Sequence, residues 1–340
     1  MDWPILVDSL NLLAIDVVPL TLLIDENGII RKIRPRQEDL EEFLATSYPV
    51  PSQQSFISAR PESTVLEEID RLFLWRGDDQ LDRVVAGYAE LLQESDDVGP
   101  IHFRLGVAYR RRHDSDSRQS GDFEKAVEHW AAALDANPNQ YIWRRRIQQY
   151  GPRLDKPYPF YDWVPQARAE IRAAGADPVV LIVEPGGAEF AQPAQEFKVA
   201  VRDAVNPDAS NRILRDEEGF VAVETVVVPT QIEAGKTGRV HLEFRPNGSL
   251  DAHWNNESEG LVLWIDTLDG WTLERPLLTF PNPALETSNE VRRLEVEFQV
   301  PTGESGSQIL CAYALYYVCE GRDGTCVYRR QDIPITVRIR

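Results

Sequence analysis

The chain has 340 residues, with 36 Lys+Arg against 55 Asp+Glu, a formal net charge of −19 and 43% hydrophobic residues. That length predicts two to three domains, and the hydrophobic share is ordinary for a globular protein. An acidic chain with no basic patch to displace counterions argues against nucleic acid and anionic membrane surfaces as partners, and no run approaches the eighteen apolar residues of a membrane-spanning helix.

Met1-Asp2-Trp3-Pro4 has no basic stretch ahead of an apolar core and does not read as a signal peptide. Trp3 to Asp8 is followed by a predicted short helix near Ser9–Ala14. The stretch Val17-Val18-Pro19-Leu20-Thr21-Leu22-Leu23-Ile24-Asp25-Glu26-Asn27-Gly28-Ile29-Ile30-Arg31 then reads as strand, tight turn and strand. Asn27-Gly28 suits a type I′ turn, in which both central residues need positive φ. A helix is expected near Glu38–Thr46.

This run resembles the second half of a thioredoxin-like redoxin, where a V-P-x-x-x-x-I-D-x-x-G-x-I/V segment follows the active-site helix. The resemblance implies a cis peptide bond at Val18–Pro19, with Pro19 beside the redox cysteines. In that family the cysteines lie well upstream of the proline. Only sixteen residues precede Val17 here, and none is a cysteine. The expectation is that 1–48 is the back part of a redoxin element whose active-site half lies upstream of Met1; a degenerate domain is the other reading. The first implies a periplasmic or other extracytoplasmic setting, the second a cytoplasmic one.

Prolines and polar residues over 49–63 mark a linker. Helical periodicity follows in Val65–Phe73 and again in Leu81–Leu92. Ile101 to Pro138 resembles a tetratricopeptide repeat. Leu105-Gly106-x-x-Tyr109 falls on the first helix, and Ala126-x-x-x-Trp130-x-x-Ala133 with Pro138 covers the second and its stop. The spacing requires His113–Ser120 to be an eight-residue insertion between the helices. Such repeats bind peptides or protein partners, or serve as rigid spacers between domains. Tyr141–Ile147 begins another helix, whose Arg144-Arg145-Arg146 is expected to be a solvated face with stems lying on aromatics. Pro152–Pro165 reads as an ordered aromatic connection, and Gln166–Ala174 as a last short helix, so 64–175 forms one helical domain.

From Val179 the period changes to two. Strands are expected at Phe197–Val201, Val221–Val228, Arg239–Phe244, Leu261–Ile265, Leu294–Val300 and Pro334–Ile339, separated by Asn247-Gly248, Asp269-Gly270 and Gly303–Gly306. Strands without intervening helices predict that 179–340 is an antiparallel β-sandwich. The overall expectation is a multidomain α+β chain: a partial thioredoxin-like element, a helical segment and the sandwich.

All three cysteines lie in the last thirty residues. Strand alternation places Cys311, Tyr313, Leu315, Tyr317 and Cys319 on one face. Glu320–Thr325 turns the chain, and Cys326-Val327-Tyr328-Arg329-Arg330 returns. Cys319 and Cys326 thus face each other across a hairpin, within reach of a disulfide. Three states fit the residues: a static disulfide, two free thiols, or an exchange pair. Cys311 reads as a small buried hydrophobe.

This hairpin is similar to the C-terminal edge of the immunoglobulin-like N-terminal domain of bacterial thiol:disulfide interchange proteins of the DsbD type. There a Tyr-rich strand ends in Cys and a second Cys opens the next strand. His253-Trp254-Asn255 is similar to a strand of that domain, so the resemblance covers about a hundred residues. It implies that Cys319 and Cys326 are a redox pair, that Tyr317 and Tyr328 shield them, and that the partner is a protein thiol or disulfide. The loop is one residue longer than that family suggests, and its aromatic cap loop has no counterpart here.

No cofactor or metal is expected: three cysteines without C-x-x-C spacing do not build a zinc site. The five histidines show no H-E-x-x-H pattern. The leading expectation is a bacterial thiol–disulfide redox protein. The alternative is a non-catalytic scaffold binding a protein or peptide through its helices and sandwich.

Overall fold

The computed structural model describes residues 8–15, 21–49, 64–152, 163–179, 204–321 and 324–340. They form a mixed α and β chain in two compact units, one of 1–146 with 159–191 and the other of 147–158 with 192–340. No helix among the described residues is long and apolar enough to cross a membrane. Val18–Pro19, the linker positions 50–63, most of the Pro152–Pro165 connection and the strand at Phe197–Val201 lie outside the described residues. The cis peptide bond among the described residues is Val228–Pro229.

In the first unit, β1 (Leu22–Ile24) and β2 (Ile30–Ile33) form the hairpin, and α1 (Gln37–Ala45) follows. The turn differs from a type I′. Only Gly28 has positive φ, at 78°. The Asp25 carbonyl accepts from the Gly28 amide at 2.9 Å, and the Asp25 carboxylate accepts from the Asn27 and Ile29 amides. This is a type I turn followed by a left-handed glycine, the three-residue alternative to I′. Asp25 selects it by bonding the backbone locally. The same competition replaces the helix expected near Ser9–Ala14 with turns. Asp8 accepts from the Leu12 and Leu13 amides, and Asn11 and Ala14 take positive φ.

Helices α2 (Val65–Arg76), α3 (Leu81–Glu94), α4 (Val98–His113) and α5 (Asp122–Ala136) follow, then α6 (Tyr141–Gln148) and α7 (Trp163–Ala173). Thr64 and Glu67 close a capping box at the start of α2. Leu81, Val84, Val85 and Tyr88 of α3 pack with Phe73, Ile101, Leu105 and Ala108. Helices α4 and α5 approach closely at Gly106, where a Cβ would come within 2.5 Å of the Trp130 ring. Charged groups are buried among these helices as pairs. Arg104 holds Asp70 at 2.9 Å, and Tyr88 donates to the same carboxylate at 2.6 Å. Arg112 bridges Asp122 and Asp82 at 2.6 and 2.7 Å. Pairing is what makes such burial tolerable. Arg144 corrects the expectation of a solvated arginine face: it is 7% exposed and paired with Glu170, whereas Arg146 does lie over Trp130.

The second unit holds two antiparallel sheets. One runs β3 (Val221–Val228), β4 (Thr237–Pro246), β10 (Arg292–Gln299), β7 (Thr272–Leu273). The other runs β8 (Leu277–Phe280), β6 (Leu261–Ile265), β11 (Gly306–Glu320), β5 (Ala252–Asn255), β9 (Thr287–Ser288), with β12 (Cys326–Ile339) along the other edge of β11. Alternate residues of both sheets share one apolar core. It includes Val240, Leu242 and Phe244 of β4, Val296 and Phe298 of β10, and Leu261, Leu263 and Ile265 of β6. Ala314, Tyr316 and Val318 of β11 and Ile335 and Val337 of β12 complete it. Each such aliphatic or aromatic side chain contributes about 1.5–3 kcal/mol by leaving water.

Strand β12 is longer than the sequence suggests. It runs unbroken from Cys326 through Pro334 to Ile339. Pro334 pairs with Cys311, and β12 is an edge beyond β11, whose outer side, among the described residues, meets isolated bridges from Arg215 to Arg330 and from Ile232 to Ile339. A proline without an N–H is tolerated there.

Candidate functional site

The β11–β12 hairpin positions the two cysteines. Its register is continuous from Gly306↔Ile339 to Cys319↔Cys326, so the cysteines stand directly opposite at the last rung. They form a disulfide with Cα atoms 3.9 Å apart, closer than the 4.4–6.8 Å most disulfides span. Gly324 closes the connecting loop. A Cβ at that position would overlap the Glu320 carbonyl oxygen, so no larger residue fits without a shift.

Because side chains alternate, Ala312, Ala314, Tyr316 and Val318 enter the core while their neighbours face outward. On that outer face the two cysteines differ: Cys319 is 3% exposed and Cys326 is exposed. Two rungs back, on the same face, Tyr317 and Tyr328 stack with ring centroids 4.3 Å apart. Burial, the adjoining Tyr317 and the Glu259 charge push the Tyr328 hydroxyl up to about 12, so it stays neutral. Cys311 lies at the far end of the same face and is exposed and free, contrary to its expected burial. Its rung partner is Pro334 on the edge strand, which gives it no cover.

Further along the face, residues 206–216 lie against the hairpin. Arg330 stacks over Tyr313 at 3.7 Å and holds Asp208 at 2.8 Å. The Asp208 amide donates to the Tyr313 hydroxyl at 3.1 Å, and that hydroxyl donates to Asn206. Arg215 pairs with Asp332 at 2.7 Å. Burial raises Asp208 and Asp332, but hydrogen bonds and charge from Arg330, joined by the Arg212 and Ile213 amides at Asp208 and by Arg215 at Asp332, together outweigh it and leave both carboxyls below the usual range.

The structure therefore brings together Cys319, Cys326, Tyr317 and Tyr328, and leaves Pro19 outside the described residues. The resemblance marked His253-Trp254-Asn255 as a strand, but the sequence reading did not place it beside Cys319. Strand β5 pairs with β11 in the register Trp254↔Val318 and His253↔Cys319. The period of two in His253-Trp254-Asn255 was the available signal, since a tryptophan in the core sends its neighbours outward. Among the described residues, no group of three or more His, Cys, Asp or Glu could hold a metal ion.

No protein-family model and no curated protein matches the chain. Several solved structures overlap part of it. A protein described as catalysing macrocyclization in alchivemycin A biosynthesis is 14% identical, over 35% of this chain and 89% of that one, with a TM-score of 0.22. The sporulation control protein Spo0M from Bacillus subtilis is 9% identical, over 36% of this chain and 49% of that one, at 0.19. The bacterial hydrophobin BslA is 13% identical, over 36% and 96%, at 0.18. Scores this low carry no functional argument.

Proposed function

We propose that this chain is a thiol–disulfide exchange protein of the thioredoxin and redoxin class, working through Cys319 and Cys326. In this reading 1–48 is the back part of a redoxin element, 64–175 is a tetratricopeptide-like segment, and 179–340 is an immunoglobulin-like sandwich of the DsbD type. The observation that carries it is the unequal exposure of the bonded cysteines beside the Tyr317–Tyr328 stack. A purely structural disulfide needs no such asymmetry.

Exchange follows from it. A thiolate of a partner protein dithiol attacks the accessible Cys326 Sγ. The Cys319–Cys326 bond breaks, its electron pair leaves on Cys319 Sγ, and a mixed disulfide forms between Cys326 and the partner. The partner's second thiol, as its thiolate, then attacks its own half of that bond and releases Cys326. The partner ends as a disulfide and this chain as a dithiol. Run backward, the same steps oxidise this chain. No cofactor enters.

The test is reduction under native conditions, with thioredoxin as the probe dithiol. The proposal predicts loss of the Cys319–Cys326 bond and one thioredoxin oxidised per chain. A bond that thioredoxin opens only after urea unfolding contradicts it. The alternative is a non-catalytic scaffold, favoured by Leu74 and Trp75 of α2, which are 51% and 83% exposed. A scaffold retains its partner when both cysteines are replaced by serine.

A further inference from the structure

Cys319, the sulfur that leaves in this scheme, is 3% exposed. A thiolate formed there has little water to stabilise it, and burial disfavours the charge. Exchange through Cys326 is fast only if something offsets that charge.

His253 is placed to do so. Trp254 and Val318 are register partners and both enter the core. Their neighbours His253 and Cys319 are the next register partners, and so share the outer face. Directly opposed residues of antiparallel strands have Cβ atoms about 4.5–5.5 Å apart. His253, Cys319 and Cys326 thus form one row across three strands, with Cys319 in the middle. His253 Nδ1 lies 3.3 Å from the Asp251 carbonyl. A carbonyl only accepts, so Nδ1 carries the donated hydrogen, which leaves Nε2 as the ring nitrogen open to a second partner.

Among the described residues, the other charged or titratable groups at this end of the sheet are Asp251 ahead of β5, Glu259 after it, Glu320 at the end of β11, and the Tyr317–Tyr328 pair. The nearby cations of β12 are committed elsewhere, Arg329 to Glu218 and Arg330 to Asp208 and Asp332.

We infer that His253 is the proton donor to Cys319 as the disulfide opens, which fixes Cys326 as the sulfur that carries the partner. The inference rests on the exchange reading. As the partner thiolate attacks Cys326 Sγ, the electron pair moves to Cys319 Sγ, which takes the proton from His253 Nε2. The neutral imidazole then regains a proton from water.

The experiment uses the full chain with Cys311→Ser, reduced by thioredoxin between pH 5.5 and 8.5, with and without His253→Gln. Taking the ratio of the two rates cancels thioredoxin's own pH dependence. The inference predicts that wild type is about tenfold faster at pH 6, at the modest end of general acid catalysis, and that the ratio falls toward one at pH 8.5. A ratio near one at every pH, with wild type readily reduced, overturns the inference and leaves the exchange reading standing. A wild-type bond that resists thioredoxin at every pH overturns both. Unchanged thermal midpoints verify folding, and His253→Asn serves as a second variant if His253→Gln loosens the sheet.

Discussion

The two faces of the β11–β12 hairpin come from one sequence and have opposite characters. Toward the core stand Ala312, Ala314, Tyr316 and Val318, none more than 5% exposed and all part of one apolar cluster. The outward residues run from exposed Cys311, through Tyr313 held under Arg330 and Asp208, to the stacked tyrosines and the disulfide. The inner face fixes register and the outer face is left to carry chemistry. A one-residue slip would exchange the two, so the deep inner packing is what keeps Cys319 opposite both Cys326 and His253.

Breaking the inner face has the largest expected effect. Trp254 is fully buried, stacked against Arg292 at 4.3 Å and edge-on to Tyr316. Trp254→Ala costs about 3–5 kcal/mol in urea unfolding and disturbs the β5 register that places His253. Removing the disulfide by Cys319→Ser with Cys326→Ser comes next, at about 2–3 kcal/mol for so short a loop. The same loss should appear in wild type on adding reductant, as a lowered thermal midpoint.

The outer strap is sharpened by acid. The Asp208 and Asp332 carboxyls sit below their ordinary values in the folded chain. Their contribution is therefore complete above the unfolded carboxylate range, near pH 4, and is lost as pH falls through the lower folded values. Hydrogen exchange in residues 206–216 should rise below pH 4 while the core strands stay protected. Smallest in stability is Tyr317→Ala, about 1 kcal/mol or less beyond area burial for the lost ring pair. Its readout is faster reduction of the disulfide by a small dithiol, because the shielding stack is gone.

Much of this was readable from periodicity. Val221–Val228 and Leu261–Ile265 alternate or run apolar as strands do, and the outward row from Cys311 to Cys319 follows from alternation alone. What escaped depended on partners distant in sequence. Cys311 is exposed because its rung partner is an edge proline, and Arg144 is buried because Glu170, on another helix, neutralises it. Pro334 looked like the start of a new strand because its position on an outer edge is a tertiary fact. The pairing of His253 with Cys319, across more than sixty residues, is likewise set by sheet order. The turn at Asp25–Gly28, expected as a type I′, and the capping box at Thr64 have local causes all the same, in side chains that bond their own backbone.

The central claim is that Cys326 meets the partner and Cys319 leaves. Its most direct measurement compares the two single variants, Cys319→Ser and Cys326→Ser, each with Cys311→Ser. Both are offered a single-cysteine thioredoxin activated as a mixed disulfide with thionitrobenzoate. The account predicts rapid covalent capture by the chain retaining exposed Cys326, and capture at least tenfold slower by the chain retaining buried Cys319. Equal rates, or faster capture through Cys319, would contradict it.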